Sequence, residues 1–216
     1  MGKIIIKKYQ NQDRKFLEDI CYNTGLMGEA ASSFWGHKKS FVGLWLSYYL
    51  NKEPQHTYVA LVNGKVVGYL TGCLDSNQYN EKWIFIKIIF KYLLLIRPST
   101  KTFFRRSLKD MKLNNNISTS GLLHDKRWPA HLHINLSKET RGKGIGSKLI
   151  TTWLNFLKEN DIKGCHLSTM AENTSAITFF EKQGFRKYGD NKIIAGFRDK
   201  NGNLLHQQFM VWDNNK

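Results

Sequence analysis

The sequence predicts an α/β or α+β domain, one sheet of strands interleaved with helices. Three observations carry that expectation. Strand-length runs of β-branched and apolar residues alternate along the chain with stretches whose apolar residues fall at helical spacing. Two turn signals, Asn63-Gly64 and Asp199-Lys200-Asn201-Gly202, each sit between strand-like runs, as hairpin loops do. The chain has 216 residues and is 41% hydrophobic, enough for one large core, with no internal repeat and no low-complexity tract.

Residues 3–8 read as a strand, and 13–23 as a helix with Phe16, Leu17 and Ile20 on one side. Residues 25–39 are loop-like and rich in small side chains. Residues 41–50 form an amphipathic helix that ends before Pro54, and 58–62 with 66–74 form a hairpin. Regular signals return at 130–136, a strand, followed by a glycine-rich turn at 142–146. Residues 147–159 then read as a helix with Leu149, Ile150, Trp153, Leu154 and Leu157 at helical spacing. Residues 164–169 are a strand, and 173–182 a helix closed by Gly184. A strand at 185–188 and a hairpin of 193–198 with 204–212 complete the pattern.

The formal net charge is +16, from 33 Lys and Arg against 17 Asp and Glu. A chain this apolar and aromatic is not a disordered polycation. The excess suits nucleic acid, an anionic membrane surface or a polyanionic cofactor. Three widely spaced cysteines, Cys21, Cys73 and Cys165, without a CxxC, fit reduced thiols better than a disulfide scaffold or a zinc site. Residues 1–9 form a short basic run without the apolar core of a secretory signal, so the expected location is cytoplasmic.

Residues 79–127 break the alternation of strands and helices. The apolar run 83–96 carries Lys87 and Lys91, and at 14 residues falls short of the about 20 that span a membrane. A basic stretch at 101–112 follows. Between residues 81 and 127 there are 11 Lys and Arg against 3 acids, a surplus of 8, half the net charge. The segment reads as a helical pair, solvated outside and with an apolar face covering the sheet. It also admits a docking surface for an anionic partner, or membrane-surface contact by 83–96. No aromatic-interleaved basic motif makes a strong case for nucleic acid, and no transmembrane segment is expected.

The chemistry concentrates at residues 132–147. There a strand ends in a turn with glycines at 142, 144 and 146 and opens into a helix. Glycines admit an anion close to the backbone, the first-turn amides point at it, and Arg141 and Lys143 add charge. This is a pyrophosphate cradle, or else merely a tight strand-to-helix turn. The Gly-x-Gly-x-Gly spacing departs from the dinucleotide fingerprint, and no Gly-Lys-Ser/Thr marks a phosphate-binding NTPase loop.

Arg141-x-x-Gly144-x-Gly146 is followed, after a helix and a strand, by Asn173-x-x-Ala176-x-x-Phe179-Phe180 and Gly184-Phe185. This ordered pair resembles the two cofactor motifs of the GCN5-related N-acetyltransferase (GNAT) family. Residues 128–136, 41–54 and 67–72 are further similar to a subgroup that includes the acetyltransferase-like C-terminal domain of human O-GlcNAcase. The resemblance covers nearly the whole chain except about 79–127. It implies a single domain over 1–216 with a mixed, mostly antiparallel sheet splayed between strands 4 and 5, helices on both faces, and a basic helical insertion at 79–127 between strands 3 and 4, beside the acceptor side of the cleft.

The same resemblance implies acetyl transfer from acetyl-CoA to an acceptor, a primary amine on a small molecule or peptide. Ile134, Asn135 and Leu136 would offer backbone partners to the pantetheine arm. Arg141, Gly142, Lys143, Gly144, Ile145, Gly146 and Ser147 would hold the pyrophosphate. Asn173 would bond the arm, with Ala176, Phe179 and Phe180 beside it. Many members carry an acid tyrosine where Phe180 stands, so Tyr188 becomes the substitute acid unless the thiolate leaves unprotonated. Asp75, His133 and His131 are the candidate bases. The His131–His133 pair lacks a third ligand nearby in sequence, and no metal is expected. The alternative is a catalytically weak or inactive CoA-binding and partner-binding module. The chain is compatible with a homodimer.

Overall fold

A computed structural model describes residues 2–92, 98–118 and 120–214. Seven strands form one sheet: β1 (Ile4–Lys8), β2 (Thr57–Val62), β3 (Lys65–Cys73), β4 (Ala130–Leu136), β5 (Gly164–Met170), β6 (Arg186–Arg198) and β7 (Leu204–Asp213), in the order β1-β2-β3-β4-β5-β7-β6. All neighbours are antiparallel except β4 and β5. The β2–β3 hairpin turns on Asn63 and Gly64 with φ of 50° and 78°, as the sequence expects.

The helices are α1 (Arg14–Asn23), α2 (Lys38–Trp45), α3 (Ser47–Lys52), α4 (Glu81–Tyr92), α5 (Pro98–Leu113), α6 (Ile145–Glu159) and α7 (Thr174–Lys182). Alternation along β4 sorts the two faces of the sheet. Ala130, Leu132, Ile134 and Leu136 join the core beneath α6, with Leu149, Ile150, Trp153 and Leu157, and Ile177 and Phe180 of α7 enter the same core. A second core around Leu17, Phe41, Leu44, Val59 and Tyr69 packs α1 and α2 on the opposite face. Gly72 lets the Trp153 ring lie against β3, since a Cβ there would stand 2.3–2.6 Å from ring carbons.

The structure corrects three sequence expectations. Residues 41–50 do not form one helix. The chain breaks at Leu46 into α2 and α3, which turns Tyr49 inward to within 2.8 Å of His131. Residues 185–188 and 193–198 do not form separate strands. The polar segment between them is absorbed as a bulge in β6, where the register shifts between Tyr188 and Lys192 and Gly189 takes φ of 68°. The third helix signal begins at Ile145 rather than 147, with Gly144 as its cap.

The insertion lies between β3 and β4, as expected, and α5 covers β6 at the far edge of the sheet while α4 packs on the helical layer. Ile88 of α4 packs on Gly43 of α2. Asp110 of α5 accepts from the Gly196 amide at 2.8 Å and is clamped by Arg198 from β6. Phe103 meets Phe197 and Trp35 edge to face, with ring centroids 5.1 and 5.6 Å away. Beyond α5, Ile117 bridges Ile193, and the Leu123 amide donates to His166 Nε2 at 3.0 Å. Residues 93–96, the end of the predicted apolar run, lie outside the described residues. No described helix is long and apolar enough to cross a membrane.

Candidate functional site

The site begins where β4 and β5 part. Only Ala130 with Cys165 and His131 with His166 pair across them, although β4 runs on to Leu136 and β5 to Met170. From Leu132 onward the edge of β4 that faces β5 has no strand beside it. A cleft of about 700 Å³ opens there, walled by both strands, by the Arg141–Ser147 turn and by the start of α7.

The turn explains its glycines. Gly142 and Gly144 take φ of 74° and 73°, the left-handed region that costs other residues about 1–2 kcal/mol. Gly144 caps α6 with no side-chain bond, and the first intrahelical bond runs from the Lys148 amide to Gly144 O. The amides of Ile145, Gly146 and Ser147 therefore have no partner within the helix and sit in the cleft wall under the positive end of its dipole. Gly146 has a packing reason as well. A Cβ there would meet Phe179 Cζ at 3.0 Å and Leu136 at 3.3 Å, so glycine seats α6 against both without displacing either side chain.

Of the residues the sequence singles out, His133, Ile134, Asn135, Leu136, Arg141, Gly142, Gly144, Ile145, Gly146, Ser147, Asn173, Ala176, Phe179 and Phe180 all line this cleft. Asn173 caps α7, its Oδ1 accepting from the Ala176 amide and from Ser175 Oγ, which leaves its Nδ2 donors for a ligand. Asn135 turns its side chain away, donating to Thr24 Oγ1 at 2.7 Å and accepting from Tyr69 at 3.3 Å, so its backbone is what the cleft meets. Phe180 is buried between Phe179 and Phe185.

Four residues fall outside the lining, buried His131 among them. Lys143 bends back to Glu139 O at 2.7 Å. Asp75 caps the turn that follows β3, accepting from the Asn77 amide at 3.0 Å and from Asn77 Nδ2 at 2.9 Å. Tyr188 lies on β6, an outer strand with β7 between it and β5. Its ring packs on Trp128 at 4.7 Å and its hydroxyl accepts from Arg127 Nη2 at 2.9 Å.

Histidines cluster where β4 meets β5, His131 and His133 on β4 and His166 on β5. His131 is buried, with Nδ1 2.8 Å from Ser76 Oγ and Nε2 2.8 Å from the Tyr49 hydroxyl. Ser76 Oγ donates to Pro129 O, so it accepts from His131, and Tyr49 then donates to Nε2. His166 donates from Nδ1 to Trp128 O and accepts at Nε2 from the Leu123 amide, which fixes the neutral tautomer. His133 stands beside Tyr49, ring centroids 5.3 Å apart, and opens on the cleft. Burial pushes the His133 and His166 imidazoles down to about 4 and holds His131 well below the ordinary range, with its histidine neighbours adding to the effect. All three are neutral at pH 7. Among the described residues no group of three side chains is arranged to hold a metal ion.

Sequence reasoning missed the lip formed by Thr24, Met27 and Gly28. Gly28, at φ of 87°, leaves room for the Arg141 guanidinium, whose Nη2 would stand 2.0 Å from a Cβ placed there. Glu29 and Lys138 close the same edge with an ion pair of 2.5 Å. The signal was the turn chemistry of Met27-Gly28, which nothing local connects to a residue more than a hundred positions away.

Residues 112–187 match the family model of the acetyltransferase (GNAT) domain, the segment that carries β4, the glycine turn, α6, β5 and α7. Among solved structures, the chain is similar to SsHAT at 21% identity and a TM-score of 0.67, covering 99% of this chain and 100% of that one. It is similar to a GCN5-related N-acetyltransferase from Kribbella flavida at 14% identity, 97% of each chain and a TM-score of 0.59. It is also similar to yncA from Salmonella typhimurium, solved with its cofactor acetyl-CoA, at 13% identity, 99% and 95% coverage and a TM-score of 0.59. Across nearly its whole length, then, the chain has the fold of the GCN5-related N-acetyltransferases, with the domain match falling on the elements that build the cleft.

Proposed function

We propose that the chain is an acetyl-CoA-dependent acetyltransferase acting on a primary amine, and that it resembles the O-GlcNAcase-like subgroup through residues 128–136, 41–54 and 67–72. One observation carries the reading: the open edge of β4 from Leu132 to Leu136 stands beside a helix N-terminus that has no side-chain cap and is flanked by Arg141. An extended amide-bearing arm adds to a free strand edge, and a pyrophosphate fits free amides at a helix start. Coenzyme A is a molecule with those two parts, and its acetyl thioester supplies the activated carbonyl.

The chain's own residues then have defined tasks. The amides of residues 142–147 and Arg141 hold the polyanion. A β4 amide faces charge developing on the carbonyl oxygen. His133, neutral and open to the cleft, accepts a hydrogen bond from the amine or from a water that relays its proton. With its imidazole near 4 it is too weak a base to strip an ammonium ion alone, so the amine enters largely deprotonated. Phe180 offers no proton, so the thiolate would leave as the anion, and the proton lost from the amine nitrogen would pass through the water held by His133 to solvent. A thermal-shift titration tests the binding half. Acetyl-CoA raises the melting temperature with a saturating dose dependence, and the absence of any rise sinks the proposal.

A catalytically weak binding module remains the second reading, favoured by Phe180, which has no hydroxyl to serve as the acid. Thioester consumption across an amine panel separates the two. Turnover above the hydrolysis blank with any amine removes the second reading.

A further inference from the structure

Nine large apolar side chains stand exposed among the described residues, and six of them belong to the insertion: Trp83, Phe85 and Ile86 on α4, and Leu108, Met111 and Leu113 on α5. Trp83 is 63% exposed and Leu113 is 70% exposed. Loose packing does not explain this, because the inner faces are already committed. Ile84 packs beside Tyr49 and Tyr79, Ile88 on Gly43, Phe103 on Phe197, and Asp110 on Arg198. Phe85 meets Phe104 at 6.0 Å and joins the two helices, and Leu108 lies one turn beyond Phe104 on the same stripe.

Basic side chains are interleaved with these apolar ones. Lys87 is exposed one turn from Trp83, and Lys101, Arg105, Lys109 and Lys112 are exposed along α5. Of the three acids in the segment, Asp110 and Asp125 are taken up by Arg198 and Arg127, so they do not neutralise the surface.

We infer that the outer face of the α4–α5 pair docks on an anionic lipid bilayer. The charge pattern selects this occupant. A second copy of the chain seated on the same face by two-fold symmetry would set these lysines and arginines against their own kind. Nucleic acid would meet the charges but would leave Trp83, Ile86 and Leu108 without apolar cover. A bilayer surface with acidic headgroups takes both: the basic side chains reach the phosphates, while tryptophan and aliphatic side chains enter the headgroup boundary. The inference is independent of the acetyl-transfer reading.

The test is co-sedimentation of the whole chain with phosphatidylcholine vesicles, with and without phosphatidylserine. Binding is expected only with phosphatidylserine, and it is released as salt rises. Each basic residue near such a surface is worth about fivefold, so Lys87→Glu with Arg105→Glu weakens binding at least roughly tenfold. Trp83→Ser with Leu108→Ser also weakens it. Thermal melting is followed for each pair. If the first pair melts lower, Lys101→Glu with Lys109→Glu repeats the measurement. The inference is overturned by no sedimentation, by equal binding to neutral vesicles, or by charge variants that bind like the parent. It is equally overturned if light scattering shows a dimer that Trp83→Ser dissolves, or if RNA binding takes the place of vesicle binding.

Discussion

Buried His131 and His166, with His133 beside them and partly open to the cleft, predict a steep loss of stability in mild acid. A folded-state imidazole depressed below its unfolded value of about 6.5 binds fewer protons than the unfolded chain does, so its stabilisation is complete above that value and is lost as pH falls toward the folded one. For His133 and His166, both near 4, the window runs from about 6.5 down to about 4. Mid-window, each withholds close to one proton, worth about 1.4 kcal/mol per pH unit. The pair gives a slope of about 2.5 kcal/mol per pH unit, and His131, held well below its ordinary value by burial, steepens it. His133, partly open to the cleft, contributes at the low end.

The bonding says why the cost is real. Protonated His166 would set an N–H against the Leu123 amide, and both ring nitrogens of His131 are already engaged. Asp110 does not act in the same window, since its hydrogen bonds to Arg198 hold it below its ordinary value. The assay is urea unfolding followed by tryptophan fluorescence at pH steps from 7.5 to 4.5. Against a total stability of about 5–15 kcal/mol, the chain is expected to unfold in buffer before pH 4. His133→Gln should flatten the slope by up to one proton's worth. Stability that stays level from pH 7 to pH 5, or a slope untouched in His133→Gln, refutes the reasoning.

Further expectations concern single positions. Gly144→Val keeps open space around the new side chain but forces it to φ of 73°. It should remove most of the acetyl-CoA thermal shift and lower the unliganded melting temperature by a few degrees. Asp110→Ala strands Arg198 and the Gly196 amide, and chemical unfolding should report a loss of about 3–5 kcal/mol. Gly72→Ala drives a methyl into the Trp153 ring and should cost about 1–3 kcal/mol, visible in the tryptophan emission as well. Tyr188→Phe should leave acetyl transfer within twofold of the parent, because its hydroxyl is held by Arg127 outside the cleft lining. A large fall in kcat would restore it as the acid.

The fold was legible wherever one period dominated. Leu149, Ile150, Trp153, Leu154 and Leu157 repeat at helical spacing and all face the core of α6, and the alternation of β4 sorts its residues between two faces as written. The errors fell where local chemistry and tertiary demand disagree. Gly189, Asp190 and Asn191 read as a loop, yet an edge strand can carry them as a bulge. Leu46 reads as mid-helix, yet its neighbours must face different partners, Phe41 toward α1 and Tyr49 toward β4, and a straight helix cannot serve both.

At the site, the parts that lie close together in sequence were readable and the parts assembled from afar were not. The glycine turn states its own backbone angles, so Gly142 and Gly144 could be assigned from type and spacing alone. The lip could not. Thr24 reaches Asn135 across 111 positions, and Gly28 matters only because a guanidinium from Arg141 fills the space a side chain would take. His166 likewise appears in sequence as a lone histidine in a short strand. Its meaning depends on a carbonyl at Trp128 and an amide at Leu123, one on each side of the point where the insertion rejoins the sheet. That pairing makes His166 the tie between the insertion and the one pair of strands that part to form the cleft. A proton on it would therefore be felt in both.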